Sequence, residues 1–194
     1  MVHPHTRMDH ATTYLNSARH QFAYYELLGE KTFAQLEDEQ LFQRSGPEAN
    51  SIAIIVQHLC GNMRSRWTDF LTSDGEKEWR QRDAEFEEAI ADRATMMLRW
   101  NEGWQCVFNA LDTCNSGNFD CTVYIREQAH TITDAVNRQL CHYAYHVGQI
   151  VILGRILKGP GWSSLSIPRN SSREFNQAKF GRGKHGGHFT EDLQ

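Results

Sequence analysis

All four prolines of this 194-residue chain, Pro4, Pro47, Pro160 and Pro168, stand outside its long stretches of three- and four-residue apolar spacing. Proline removes a backbone donor and clashes with the preceding helical turn, so this placement leaves those stretches free to be helices. The first runs from about Ala11 to Leu36, with Leu15, Ala18, Phe22, Tyr25 and Leu36 on one face. The second opens on Asn50 and Ser51, both good N-caps, and carries Ile52, Val56, Leu59, Met63, Trp67 and Phe70. The third, from about Asp83 to Leu111, aligns Phe86, Ile90, Met97, Trp104, Phe108 and Leu111. Its acids and base Glu85, Glu87, Glu88, Asp92 and Arg93 read as a solvated outer face.

Gly117 and Asn118 then mark a turn, and the β-branched, aromatic run Cys121 to Ile125 reads as a short extended piece. The fourth helix is expected from Thr131 or Thr133 to Leu157, closed by Gly159-Pro160-Gly161. Val136, Leu140, Tyr143, Val147, Val151 and Gly154 form one stripe on it, and His142, His146, Gln149 and Leu153 form a second. A helix with two uncharged stripes buries one in its own core and offers the other to a partner chain, which predicts a homodimer. Four long helices without a strand repertoire predict an all-α four-helix bundle. After Gly159 the chain reads as an irregular arm anchored by Trp162, Leu165, Ile167 and Phe175. The expected division is a bundle with its packed arm over 1–176 and a Gly/His-containing tail over 177–194.

Charge and cysteine content narrow the function. The formal net charge of −4 gives no global field toward nucleic acid. The exception is the tail bearing Lys158, Arg169, Arg173, Lys179, Arg182 and Lys184, which reads as a solvated surface. Cys60, Cys106, Cys114, Cys121 and Cys141 are odd in number and form no C-x-x-C pair, so reduced thiols in a cytoplasmic protein are expected. No run of about 18 apolar residues predicts a membrane span. The start of the chain lacks the apolar core of an export signal. His3, His5 and His10 there read as a polar terminus.

The sharpest chemical feature is His142-x-x-x-His146. Residues four apart on a helix share a face, so two imidazoles can converge on one ion. Tyr143 stands where a zincin helix carries its glutamate, which excludes that protease reading. A third ligand must come from another helix; His58, beside the apolar row of the second stretch, is the best candidate, with His20 and His130 as competitors. Asn62, Arg138 and Gln149 lie one turn or less from these histidines and are candidates for supporting contacts. Cys60 and Cys141 point elsewhere on their helices and read as packing residues, and no general base is evident beside the ligands. Trp67, Trp100, Trp104, Tyr143 and Tyr145 read as core or interface.

Two segments, NSIAIIVQHLCGNMRSRWTDFLTSDGE (Asn50 to Glu76) and AVNRQLCHYAYHVGQIVILGRILKG (Ala135 to Gly159), resemble the DinB/YfiT-like superfamily. The likeness extends from YLNSARHQFAYYELLGEKTFAQL through the tail WSSLSIPRNSSREFN, Trp162 to Asn176, which marks one branch of it. The resemblance implies a four-helix bundle, commonly dimeric, holding a divalent transition metal through one histidine of the second helix and two of the last. Matched position by position, these are His58, His142 and His146. Three neutral imidazoles suit Zn²⁺, Ni²⁺ or Fe²⁺, and three protein ligands leave a position open for water or substrate.

The superfamily includes thiol-dependent S-transferases, so the resemblance implies a metal-dependent transferase acting through a low-molecular-weight thiol on an electrophilic substrate, or a metal-dependent hydrolase. The chain has no G-x-S-x-G elbow, P-loop or dinucleotide fingerprint to indicate other chemistry. The alternative expectation is a non-catalytic dimeric module for stress response, its ion structural or sensory. A roomy cleft at the histidines favours the enzyme, whereas a dry site with four protein ligands favours the module.

Overall fold

The computed structural model describes residues 9–87 and 90–193. The expectations for His3, His5 and Glu88 lie outside the described residues. The described residues form six α-helices: α1 (His10–Phe33), α2 (Asp38–Phe42), α3 (Ile52–Trp67), α4 (Arg93–Thr113), α5 (Ile132–Lys158) and α6 (Ser172–Gly181). One two-stranded antiparallel hairpin, β1 (Thr122–Ile125) and β2 (Gln128–Thr131), joins α4 to α5. The chain is therefore predominantly helical. Among the described residues, no helix is long and apolar enough to cross a membrane.

Each long helix begins at a side-chain cap. Asp9, Ser51, Asp92 and Thr131 accept hydrogen bonds from the backbone N–H groups of Thr12, Ile54, Thr95 and Asp134. Thr131 and Asp134 form a reciprocal capping box, which settles the start of α5. At its other end Gly159 takes φ of 59°, a left-handed conformation that glycine tolerates, and the helix stops.

The third expected helix starts ten residues late. Asp83–Phe86 is a short 3-10 turn and α4 begins only at Arg93. The reason is Asp92, whose carboxylate accepts both the N–H and the hydroxyl of Thr95 and so fixes the first turn there. Arg93 is not on a solvated face either: its guanidinium donates to the carbonyls of Phe33 and Leu36, tying α4 to the end of α1.

The core lies between the four long helices, with α3 along α4, α1 along α5, and α3 meeting α5. Its centre is aromatic. Phe22 packs edge-on to Trp67 with ring centroids 5.8 Å apart, and Phe33 meets Trp100 at 5.1 Å. Burial of such side chains contributes about 1.5–3 kcal/mol each. The α1–α5 contact is close because Gly154 has no side chain; a Cβ there would lie 2.4 Å from Cγ2 of Thr32. Of the expected α5 stripe, Val136, Leu140, Tyr143, Val147 and Gly154 are buried and Val151 is half-buried against the core.

The extended piece near Cys121 proves to be one strand of the hairpin, with Val123 and Ile125 facing the core. Its two-residue turn, Arg126-Glu127, has φ of 55° and 61°. Turns of this type ordinarily use Asn-Gly or Asp-Gly, because other residues pay a steric cost at positive φ. Here Asp74 compensates, its two carboxylate oxygens accepting the N–H groups of Arg126 and Glu127 at 2.8 and 2.7 Å.

The arm after Gly159 is less irregular than expected. Trp162, Leu165, Ile167 and Phe175 are half-buried, but α6 runs across the boundary placed at 176. The last described segment returns to α1, where Thr190 is buried and the His188 ring stacks on His20 at 4.9 Å.

Candidate metal centre

His58 on α3 meets His142 and His146 on α5 where the two helices touch. Nε2 of His142 lies 3.4 Å from Nε2 of His58 and 3.1 Å from Nε2 of His146. The ligand atoms of the three rings all fall within 4.8 Å of one another, and the group could hold a metal ion. An ion with metal–nitrogen bonds of about 2.0–2.1 Å in tetrahedral geometry holds its nitrogens about 3.3–3.4 Å apart. The spacing fits.

The tautomers fit as well. Nδ1 of His58 donates to Oε2 of Glu85 at 2.9 Å, and Nδ1 of His146 donates to Oε1 of Gln149 at 2.8 Å. With the proton on Nδ1, Nε2 keeps its lone pair and points it at the common centre. Burial is the first cause that lowers the pKa of His142, with the charges on His146 and His58 next, to about 3. Burial also lowers that of His146. Both rings are neutral at pH 7 and available as ligands.

Glu85 was expected on a solvated face and is instead 7% exposed. Arg80 grips it in a two-pronged ion pair, Nε to Oε1 at 2.7 Å and Nη2 to Oε2 at 2.9 Å. Burial alone pushes this carboxyl up, but the hydrogen bonds from Arg80 and His58 outweigh it and hold it below the ordinary value. The carboxylate is thereby committed to orienting His58. It reaches the ring because residue 61 is glycine: a Cβ there would lie 2.2 Å from Oε1 of Glu85.

The remaining candidates separate cleanly. Asn62 is buried and accepts from the Tyr143 hydroxyl at 3.2 Å, which itself accepts from Nε1 of Trp67 at 2.8 Å. This chain braces α3 against α5 directly behind the histidines. His20 bonds the Asn16 carbonyl and stacks on His188, so it belongs to the tail contact. His130 bonds the Gln128 carbonyl through Nδ1 and faces Nη1 of Arg138 at 3.2 Å through Nε2, and is not part of the cluster. Cys60 packs in the interior, whereas Cys141 is exposed and packs against nothing as a core residue would. Trp67, Trp100, Trp104 and Tyr143 are core; Tyr145 is exposed at the edge of the site.

A cleft of about 400 Å³ opens over the three rings, walled by Phe86, Gln139 and Tyr145 and by several arginines. Phe86 stacks on His58 with centroids 4.7 Å apart and shields one side of that ring. A larger hollow beside Trp67 and Cys106 contains no comparable cluster of ligating groups among the described residues.

A family described as "Protein of unknown function (DUF1572)" matches residues 9–171. The chain belongs to this family. The match takes in α1 through the start of the arm, and with them all three histidines and Glu85. Neither the curated proteins nor the solved structures offer a match. Membership in DUF1572 assigns no activity, so the chemistry is argued from the site.

Proposed function

We propose that this DUF1572 protein is a DinB/YfiT-like four-helix bundle that holds a divalent transition metal through His58, His142 and His146. On this reading it acts as a metal-dependent transferase using a low-molecular-weight thiol, or as a hydrolase. The observation that carries the reading is the convergence of three imidazole Nε2 atoms in an open cleft. Among the described residues no fourth protein ligand joins them, which favours a catalytic site over a closed structural one.

The chain's own residues then have distinct tasks. Glu85 and Gln149 fix the proton of two rings on Nδ1. Arg80 keeps Glu85 ionised, and the Trp67–Tyr143–Asn62 hydrogen bonds hold the two ligand-bearing helices in register. When bound, a divalent ion supplies the Lewis acidity that ionises a thiol or a water at neutral pH. Zn²⁺, Ni²⁺ and Fe²⁺ all suit the donor set.

A homodimer forms part of this reading. Tyr145, Ile152 and Ile156 on α5 are 63%, 51% and 62% exposed and lie along one line of the helix. An exposed apolar line of this kind on the helix that carries two ligands supports pairing with a second copy beside the cleft.

The deciding experiment is elemental analysis of protein purified without added metal, compared with a His142→Ala variant. The wild type is expected to retain a stoichiometric ion and the variant to lose it. Equal, substoichiometric metal in both would overturn the assignment. A thiol-transfer screen with the metal-loaded protein then tests turnover.

A further inference from the structure

The cleft over the histidines is strongly cationic in a chain whose net charge is −4. Five guanidiniums line it: Arg66, Arg80, Arg82, Arg126 and Arg138. Three carboxylates answer them, the first being Asp74, which faces Arg66 and accepts the Arg126 N–H. Glu76 pairs with Arg66, Arg80 and Arg126, and Glu85 pairs with Arg80. Five positive charges against three negative ones leave an excess of two around the cleft, and the histidines cannot offset it because imidazole is never an anion here.

Arg82 and Arg138 have no carboxylate partner among the described residues. Each is nonetheless positioned. The Arg82 guanidinium lies over the Phe86 ring, 5.5 Å from its centroid, and Phe86 in turn stacks on His58. Arg138 stands one helical turn before His142 and is met by His130 at 3.2 Å. Both line the cleft, Arg82 from the segment after Arg80 and Arg138 from α5.

The buried polar atoms tell the same story. Arg66 is 5% exposed and its Nε has no hydrogen-bond partner; Gln139 is 3% exposed and its Oε1 has none. Both residues line the cleft. An oxyanion supplies the acceptor that the buried Arg66 Nε–H lacks, while the Gln139 oxygen, itself an acceptor, calls for an N–H or O–H group.

We propose that the cleft binds a small dianion, bearing carboxylate or phosphate oxygens, through Arg82 and Arg138, with the ligand's reacting atom over the histidines. Guanidinium is the side chain best matched to such oxygens because its N–H groups form a planar fork. The proposal rests on the metal-site reading only for the position of the reacting atom; the anion site itself is defined by the arginines. It narrows the substrate of the proposed enzyme to an oxyanion-bearing molecule small enough for about 400 Å³.

The test uses full-length protein, metal-loaded and metal-free, titrated calorimetrically with succinate and separately with inorganic phosphate. Arg82→Gln and Arg138→Gln are the variants, because both side chains are at the surface of the cleft and neither holds the core together. At least one probe is expected to bind, to weaken with added salt, and to bind about tenfold more weakly in each variant. Which probe binds distinguishes a carboxylate from a phosphate ligand. Metal content is measured on the same samples, so loss of the metal reading and loss of the anion reading are separate results. Failure of both probes to bind either form, or binding that both arginine variants retain in full, would overturn the proposal. Binding that His142→Ala abolishes while the arginine variants keep it would also overturn it, since the ion alone would then hold the anion.

Discussion

Oε2 of Glu85 lies 2.9 Å from Nδ1 of His58, so a buried carboxylate dictates which nitrogen of that ring carries the proton. The same carboxylate is held on its other side by Arg80. A metal ligand oriented in this way is both more basic and less mobile than a free imidazole.

Glu85→Gln therefore weakens metal binding by about 10–100-fold, the usual effect of losing the group behind a ligand histidine. It also strips Arg80 of its main counter-charge, so the thermal midpoint falls. Chelator competition measures the first effect and calorimetric melting the second. Unchanged metal affinity would show that His58 does not depend on this contact.

Gly61→Ala separates the two effects. Alanine favours a helix interior over glycine by about 1 kcal/mol, which offsets part of the clash. The new methyl displaces the Glu85 carboxyl that it would otherwise touch. The variant is expected to fold with a near-normal melting curve and to bind metal more weakly. Full metal affinity would mean that Glu85 adjusts without releasing His58.

Glu26 on α1 gives a pH dependence unconnected with the site. Burial, and then the nearby Glu30, raise its pKa from 4.5 to about 7. The folded chain thus binds this proton more tightly than the unfolded one. The resulting stability is fully present below pH 4.5 and is lost as pH rises through about 7. Glu26→Gln removes the dependence: melting at pH 8 improves relative to wild type, and melting at pH 4 changes little. A parallel shift at both pH values would refute the assignment.

Ile152→Glu combined with Ile156→Glu places two charges on the exposed line of α5. Light scattering coupled to gel filtration is expected to report a dimer for wild type and a monomer for the double variant, with unchanged helical circular dichroism. A monomeric wild type would remove the dimer from the proposal.

The long helices were legible because their apolar spacing survives in the folded core almost residue for residue, as with Leu15, Ala18 and Phe22. The third helix misled because Phe86 and Ile90 prolong its spacing backwards; the aspartate at 92 followed by Thr95 was the local signal for the true start. The histidine pair on α5 follows from helical geometry, and His58 stood ahead of His20 and His130 because it lies beside the apolar row of its helix, a preference that the family resemblance strengthened. Glu85 could not be read. It sits in an acidic run, and its burial depends on His58, 27 residues away, and on Arg80, neither of which leaves a periodic trace. The arginines of the cleft are scattered from Arg66 to Arg138 and assemble only through the fold. The hairpin was half visible, since Arg126-Glu127 lacks the usual glycine and borrows its stabilisation from Asp74.

That borrowed stabilisation has an architectural result. Arg126 reaches the cleft from the tip of a ribbon fastened to the segment after α3, and not from any of the packed helices. One side of the rim is thus carried on a separate ribbon and tied to the floor by ion pairs, Arg126 to Glu76, Glu76 to Arg80, and Arg80 to Glu85 behind His58. Substitutions at the tip can reshape what the opening admits while leaving the helices that carry the ligand rings in place, and divergence in specificity within the family is expected to concentrate at those few positions.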